Sequence, residues 1–239
     1  MSYKETINKQ YEQSDLASKI SSALQSEGKN TIKLIRESLA SFEDLHVRGR
    51  LATIELAQEA GIRDDMHILD IGCGIGGPAR AIAAKFGCSV TGIDLCKEYC
   101  QAAEILNNIA GLGEKIRIQE GNALDMPFNN ESFDLVFIQH VLMNIEDKKH
   151  ILSQIHQILH PKGRLAIYEI CAGVNSPVIF PVVWANDPSI NFLLSPEGLR
   201  QTITLSGFKE LSWKDETSKV IEDFQRIRSS RVKKTPQLI

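Results

Sequence analysis

Two aspartates, a run of glycines, an asparagine and a histidine stand where short apolar runs end, and their types and spacing can do chemistry. The stretch HILDIGCGIGGPAR carries Asp70 two residues ahead of Gly72, with further glycines at 74, 76 and 77. That spacing satisfies both G-x-G-x-x-G and G-x-G-x-G. Such a turn needs positive φ angles and close backbone approach, and the helix after it offers unpaired N–H groups to a ligand. Many nucleotide binders share these glycines, so the discriminating residue is Asp70. A carboxylate there repels a dinucleotide's pyrophosphate and attracts the ammonium and sulfonium of S-adenosylmethionine. Asp94 closes the next run, VTGID, and its two oxygens suit both hydroxyls of a ribose. Asn122, in Gly121-Asn122-Ala123-Leu124, offers an amide that donates to and accepts from an adenine edge. Gln139-His140-Val141-Leu142 ends the fourth run and faces the reacting end of such a ligand. His140 is the titratable group there, a candidate catalytic base for a protonated amine or neutral hydroxyl acceptor.

These residues need a scaffold that brings strand ends to one rim. From residue 67 the pattern alternates short β-branched runs with helical spacing. It predicts strands at 67–71, 89–94, 116–120, 133–139 and 164–170, and helices at 78–86, 97–110 and 147–160. Strand-helix alternation of this kind implies a doubly wound, mainly parallel α/β sheet with helices on both faces and right-handed crossovers. In such sheets ligands bind at the carboxyl ends of the strands. The first sixty residues read as helices: one opened by Ser14 and Asp15, one carrying Ile32, Ile35 and Leu39, and one from Gly49 to Gly61. After Ile170 comes a proline-rich apolar segment, then a helix capped by Ser195 with Pro196 at its first position. A strand over 208–214 and a last helix bearing Val220, Ile221, Phe224 and Ile227 complete the reading.

Composition narrows the partners. In 239 residues, 43% are hydrophobic and 24% charged, with a net charge of -3. These are ordinary globular values, and the charge gives no global field for polyphosphate, so a small molecule is the expected partner rather than nucleic acid or a membrane. The tail with Arg226, Arg228, Arg231, Lys233 and Lys234 reads as a solvated helix end. Five cysteines with no C-x-x-C pair read as free thiols of a reducing cytoplasm. His156 and His160 have zinc-like helical spacing but no accompanying carboxylate motif, so no metal is expected. Tyr11 offers an aromatic face to a sulfonium, and Trp184, with Phe180 and Phe192 nearby, reads as a substrate wall.

The runs ILDIGCGIGGPAR, VTGIDL, EGNALDMPF, FDLVFIQHVLMNI and LHPKGRLAIYE resemble the class I S-adenosylmethionine-dependent methyltransferases. Within them the likeness is to the small-molecule group related to sarcosine/dimethylglycine and ubiquinone-pathway enzymes. It extends to FEDLHVRGRLATIELA and FPVVWANDPSINFLLSPEGLR on either side. The resemblance implies a Rossmann-like domain over 61–239, with a substrate-side insertion at 171–194, under a helical lid at 1–60. It implies S-adenosylmethionine as cofactor, contacted by Asp70, Gly72, Gly74, Asp94, Leu95, Asn122, Ala123 and Gln139, with Asn122 replacing the family's usual acidic residue. It places His46 near the pocket mouth as a substrate contact. It also implies a seventh, antiparallel strand, for which no run remains after residue 217, so a six-stranded sheet with a gap or altered pairing at 208–214 is expected. Two alternatives stay open at this point: an NAD-dependent oxidoreductase, and a non-catalytic S-adenosylmethionine-binding protein. The acceptor atom (N, O, C or another) and the oligomeric state are not specified by these motifs.

Overall fold

The computed structural model describes residues 3–11, 16, 20, 47–173 and 177–232. Five strands form one parallel sheet: β1 (His67–Ile71), β2 (Ser89–Asp94), β3 (Ile116–Glu120), β4 (Phe133–Gln139) and β5 (Leu159–Tyr168). Their order is β3-β2-β1-β4-β5, so the winding direction reverses between β1 and β4. Seven α-helices accompany them among the described residues: α1 (Tyr3–Tyr11), α2 (Gly49–Ala60), α3 (Gly77–Phe86), α4 (Lys97–Ile109), α5 (Lys148–Ile158), α6 (Pro196–Leu205) and α7 (Thr217–Val232).

Both faces of the central strands β1, β2 and β4 are covered, which is why these read as apolar runs, while the edge strands β3 and β5 are largely exposed. Leu69, Ile71, Val136 and Ile138 pack with Ile151, Leu152 and Ile155 of α5. The alternate residues Ile68, Leu135 and Phe137 pack with Ala57 of α2 and Ala79, Ile82 and Ala83 of α3. Small alanines let α3 lie close to β2 and β3. Helix ends follow the sequence signals: Ser195 Oγ accepts from Gly198 N at 3.1 Å, and Asp147 Oδ1 accepts from His150 N at 3.0 Å.

Three boundaries depart from the sequence reading. α5 stops at Ile158 because Leu159 already pairs with Phe133; pairing then lapses and resumes at Leu135 with Arg164, with Lys162 at φ +69 between. The fifth strand closes at Tyr168 rather than Ile170. The expected strand at 208–214 is corrected: no strand lies there among the described residues. Its side chains face helices instead. Arg200 of α6 grips Glu210 at 2.6 Å and covers the Trp213 ring at 5.0 Å, while Lys214 reaches Glu59 of α2 at 2.6 Å. The helices expected around Ser14 and at 32–39 lie mostly outside the described residues; Ile20 is buried beside Ile75, Tyr99 and Leu106. No helix among the described residues is long and apolar enough to cross a membrane.

Candidate active site

β1 and β2 are neighbours, so their terminal carboxylates meet across the glycine turn. The turn is closed by Gly72 N and Cys73 N, which donate to Ile93 O at 2.8 and 3.2 Å. Gly72 has φ +69, and a Cβ on it would lie 2.3 Å from Val141 Cγ2. Gly74 also has positive φ, but a Cβ there would meet nothing within 4 Å, leaving room where a ligand must approach the backbone. Asp94 is anchored: Oδ2 accepts from Gly74 N at 2.8 Å and Oδ1 from Cys96 N at 2.9 Å. Burial raises its carboxyl, and these backbone bonds oppose the rise. Asp70 lacks such help. It is 2% exposed, and its Oδ2 is buried with no hydrogen-bond partner among the described residues. Burial, with the charge of Asp94 added, pushes its carboxyl up to about 8. A buried, unbonded carboxylate at a cleft is stabilised by a cation, and a ligand ammonium supplies one.

Along the same rim, Asn122 Oδ1 accepts from Leu124 N at 3.0 Å, which leaves mainly its amide N–H groups for an adenine edge. Gln139 is buried; its Oε1 accepts from Thr53 Oγ1 of α2 at 3.0 Å, and its Nε2 has no partner among the described residues. His140 follows with φ +54. Its Nε2 accepts from Val47 N at 3.1 Å, and its Nδ1 lies 3.7 Å from Glu169 Oε1.

Across the cleft, Tyr11 Oη donates to Asn144 Oδ1 at 2.8 Å. Asn144 Nδ2 in turn donates to Trp184 O at 3.0 Å and Ile190 O at 2.8 Å. Lys148 Nζ, buried beneath, holds Ile145 O at 2.7 Å and Phe192 O at 2.5 Å, and burial lowers its pKa. The Trp184 indole donates to Asn191 Oδ1 at 2.8 Å, which fixes its plane.

A methyltransferase-domain family model matches residues 69–167. The O-methyltransferase resE of Aspergillus sclerotiorum is 30% identical over 184 residues, covering 75% of this chain and 68% of that protein. That extent of similarity decides the family. The chain belongs to the class I S-adenosylmethionine-dependent methyltransferases.

A sarcosine/dimethylglycine N-methyltransferase of Halorhodospira halochloris is 26% identical, over 69% of this chain and 59% of that one. The likeness in fold spans nearly the whole chain: a Haemonchus contortus phosphoethanolamine N-methyltransferase 2 superposes with TM-score 0.71 at 20% identity, covering 99% of this chain and 53% of that one. The methyltransferase thus spans only part of most relatives it matches. Its cofactor is S-adenosylmethionine, and these relatives give no support to the oxidoreductase alternative.

In this methyltransferase Asp70, Gly72, Gly74, Asp94, Leu95, Asn122, Ala123, Gln139, His140, Tyr11 and Trp184 all line one cleft. His46 lies outside the described residues. His156, discounted as a metal ligand, packs edge-on against Phe208 at 5.5 Å. Sequence reasoning missed Glu169, Asn144 and Lys148. Glu169 carried a usable signal, a carboxylate at the end of the fifth strand run; Asn144 and Lys148 carried none, because each reaches backbone carbonyls forty or more residues away.

Proposed function

We propose that this methyltransferase transfers a methyl group to a small-molecule acceptor by in-line displacement. The observation that carries the reading is the buried, unpartnered Oδ2 of Asp70 beside the open approach at Gly74. When bound, the cofactor supplies an electrophilic methyl carbon on a sulfonium. The chain's own part is binding, alignment and exclusion of water. Asp70 receives the ammonium. Asp94 and Leu95 take the ribose, Asn122 and Ala123 the adenine, and Gln139 with the glycine turn the remaining polar edge. Tyr11 and Trp184 form the wall against which the acceptor aligns. His140 accepts the acceptor's proton where the acceptor arrives protonated, exchanging its bond from Val47 N for that proton. In this reading α1 serves as the lid over the domain, whereas α2 (49–60) packs into the sheet core through Ala57. The five free thiols favour a cytoplasmic setting.

Incubation with methyl-labelled S-adenosylmethionine and a metabolite extract, read by mass spectrometry, should yield one labelled small product. Thermal stabilisation by NAD and none by S-adenosylmethionine or its demethylated product would sink the reading. His140→Ala with unchanged turnover would remove the base and leave methyl transfer standing.

A further inference from the structure

We propose that Glu169 is a positioning residue that sets the tautomer of His140 and thereby ties the start of α2 to the end of β4. Its consequence for turnover rests on the methyl-transfer reading; its consequence for the imidazole does not.

Glu169 follows β5, and its side chain is 4% exposed. Oε2 accepts from Val141 N at 3.1 Å and Leu142 N at 2.6 Å, and Oε1 accepts from Ile170 N at 2.9 Å. Three backbone donors converge on one side chain, a load that only an acceptor-only carboxylate carries in full. The donors are available because His140 bends the chain at φ +54 after giving its own N–H to Tyr168 O at 2.9 Å. The left-handed region is strained for a non-glycine residue, and the bonds from Val141 and Leu142 to Glu169 stabilise the bend.

The imidazole completes the arrangement. Val47 N–H donates to Nε2, so that nitrogen carries a lone pair. The proton of the neutral ring is then on Nδ1, the nitrogen facing Glu169 Oε1 at 3.7 Å. Val47 immediately precedes Arg48 and Gly49, both at positive φ, where the chain turns into α2. Thr53 of that helix bonds Gln139, the residue before His140. The order is therefore Glu169 carboxylate, Nδ1–H, Nε2, Val47 N–H, α2. The bare Nε2 is also the atom that would take an acceptor's proton, so the hinge and the acceptor compete for one nitrogen whose availability Glu169 secures.

The test is a long-range 1H–15N spectrum of the full chain labelled on histidine nitrogens, recorded at about pH 8 where an ordinary imidazole is neutral, with His140 assigned through His140→Gln. The expected wild-type signal is a protonated Nδ1 and a bare Nε2. In Glu169→Gln the amide oxygen stays on Val141 N and Leu142 N, and the NH2 takes the place of Oε1, where it meets Ile170 N–H and Nδ1–H, donor against donor. The ring should switch to Nε2–H and lose Val47, turnover should fall about tenfold or more, and affinity for the demethylated cofactor should hold. Glu169→Asp should keep the wild-type tautomer. A wild-type ring protonated on Nε2, or a Glu169→Gln ring that keeps Nδ1–H, overturns the proposal, and the wild-type spectrum decides even if the variant fails to fold. The expected tautomers with no methyl transfer in any variant would support the role of Glu169 and count against the methyl-transfer reading.

Discussion

Asp70 and Asp94 end neighbouring strands, yet only Asp94 is held by backbone N–H groups. The difference turns one residue type to two uses. Asp94 is a fixed acceptor, whereas Asp70 is a carboxyl whose ionisation depends on what binds beside it. Its folded value of about 8 lies well above the unfolded value near 4. The folded chain therefore holds a proton that the unfolded chain has released, and ligand-free stability falls as pH rises from about 4 to 8. Asp94, also raised, acts in the same direction. An ammonium beside Asp70 favours the ionised form and removes this dependence, so cofactor affinity should rise with pH up to about 8. Because both carboxyls are raised, melting curves should show ligand-free protein weaker at about pH 9 than at about pH 6, with the gap narrowed by saturating demethylated cofactor. Asp70→Asn should melt higher than wild type at the alkaline end and bind cofactor about tenfold or more weakly by calorimetry. Unaltered affinity would take Asp70 out of the site.

At the scale of elements, the cleft has two sides of different origin. One side is a row of strand ends: Asp70, Asp94 and His140 follow apolar runs that the parallel sheet buries, which made their positions legible in the sequence, whereas Asn122 follows the largely exposed edge strand β3. Glu169 belongs to that row but follows the edge strand β5, in which only Leu159 and Ala166 are buried. The wall is built differently. Asn144 joins α1 to the segment at 184–190 through Tyr11 Oη and two backbone carbonyls, and no periodicity marks a side chain whose partners are carbonyls some forty residues away. α1 itself is short and mostly polar, and the spacing of Tyr3, Ile7 and Tyr11 in the sequence, a thin stripe, is its one helical signal. Truncating Asn144 leaves Ile190 O without this donor, and Tyr11 Oη keeps Trp184 O at 3.4 Å in place of its 2.8 Å acceptor. Asn144→Ala should therefore raise the KM for the methyl acceptor several-fold while cofactor affinity holds, and the Trp184 emission should shift red as the wall loosens. An equal loss of cofactor affinity would mean that Asn144 supports the glycine-turn side instead.

For the whole molecule, the sheet's central strands and their two covered faces were legible because burial on both sides produces a pattern that no exposed strand shares. The course of the chain beyond β5 was not. FKELSWK has strand-like composition, but composition does not say whether its backbone pairs with a strand or its side chains pair with helices. Here Glu210 and Lys214 found Arg200 and Glu59, and the segment runs alongside α6 and α2. α7 is then attached to the core chiefly by charge. Arg48, 6% exposed at its side chain, takes Glu55 at 2.8 Å, Glu216 at 3.1 Å and Asp223 at 3.5 Å, while Ile221 and Phe224 of α7 stay exposed. Removing the arginine leaves three carboxylates facing one another around a largely buried position, a loss of about 2 kcal/mol concentrated on the attachment of α7. Because Arg48 also sits at the turn into α2, next to Val47 and its bond to His140, the start of α2 and the docking of α7 are coupled there. Arg48→Ala should expose α7 to limited proteolysis within residues 208–232 while the sheet core stays protected, and salt should speed the same cleavage in wild type by screening these pairs. Cleavage of the core at the same rate as α7 would show that this cluster supports the global fold rather than the docking of one helix.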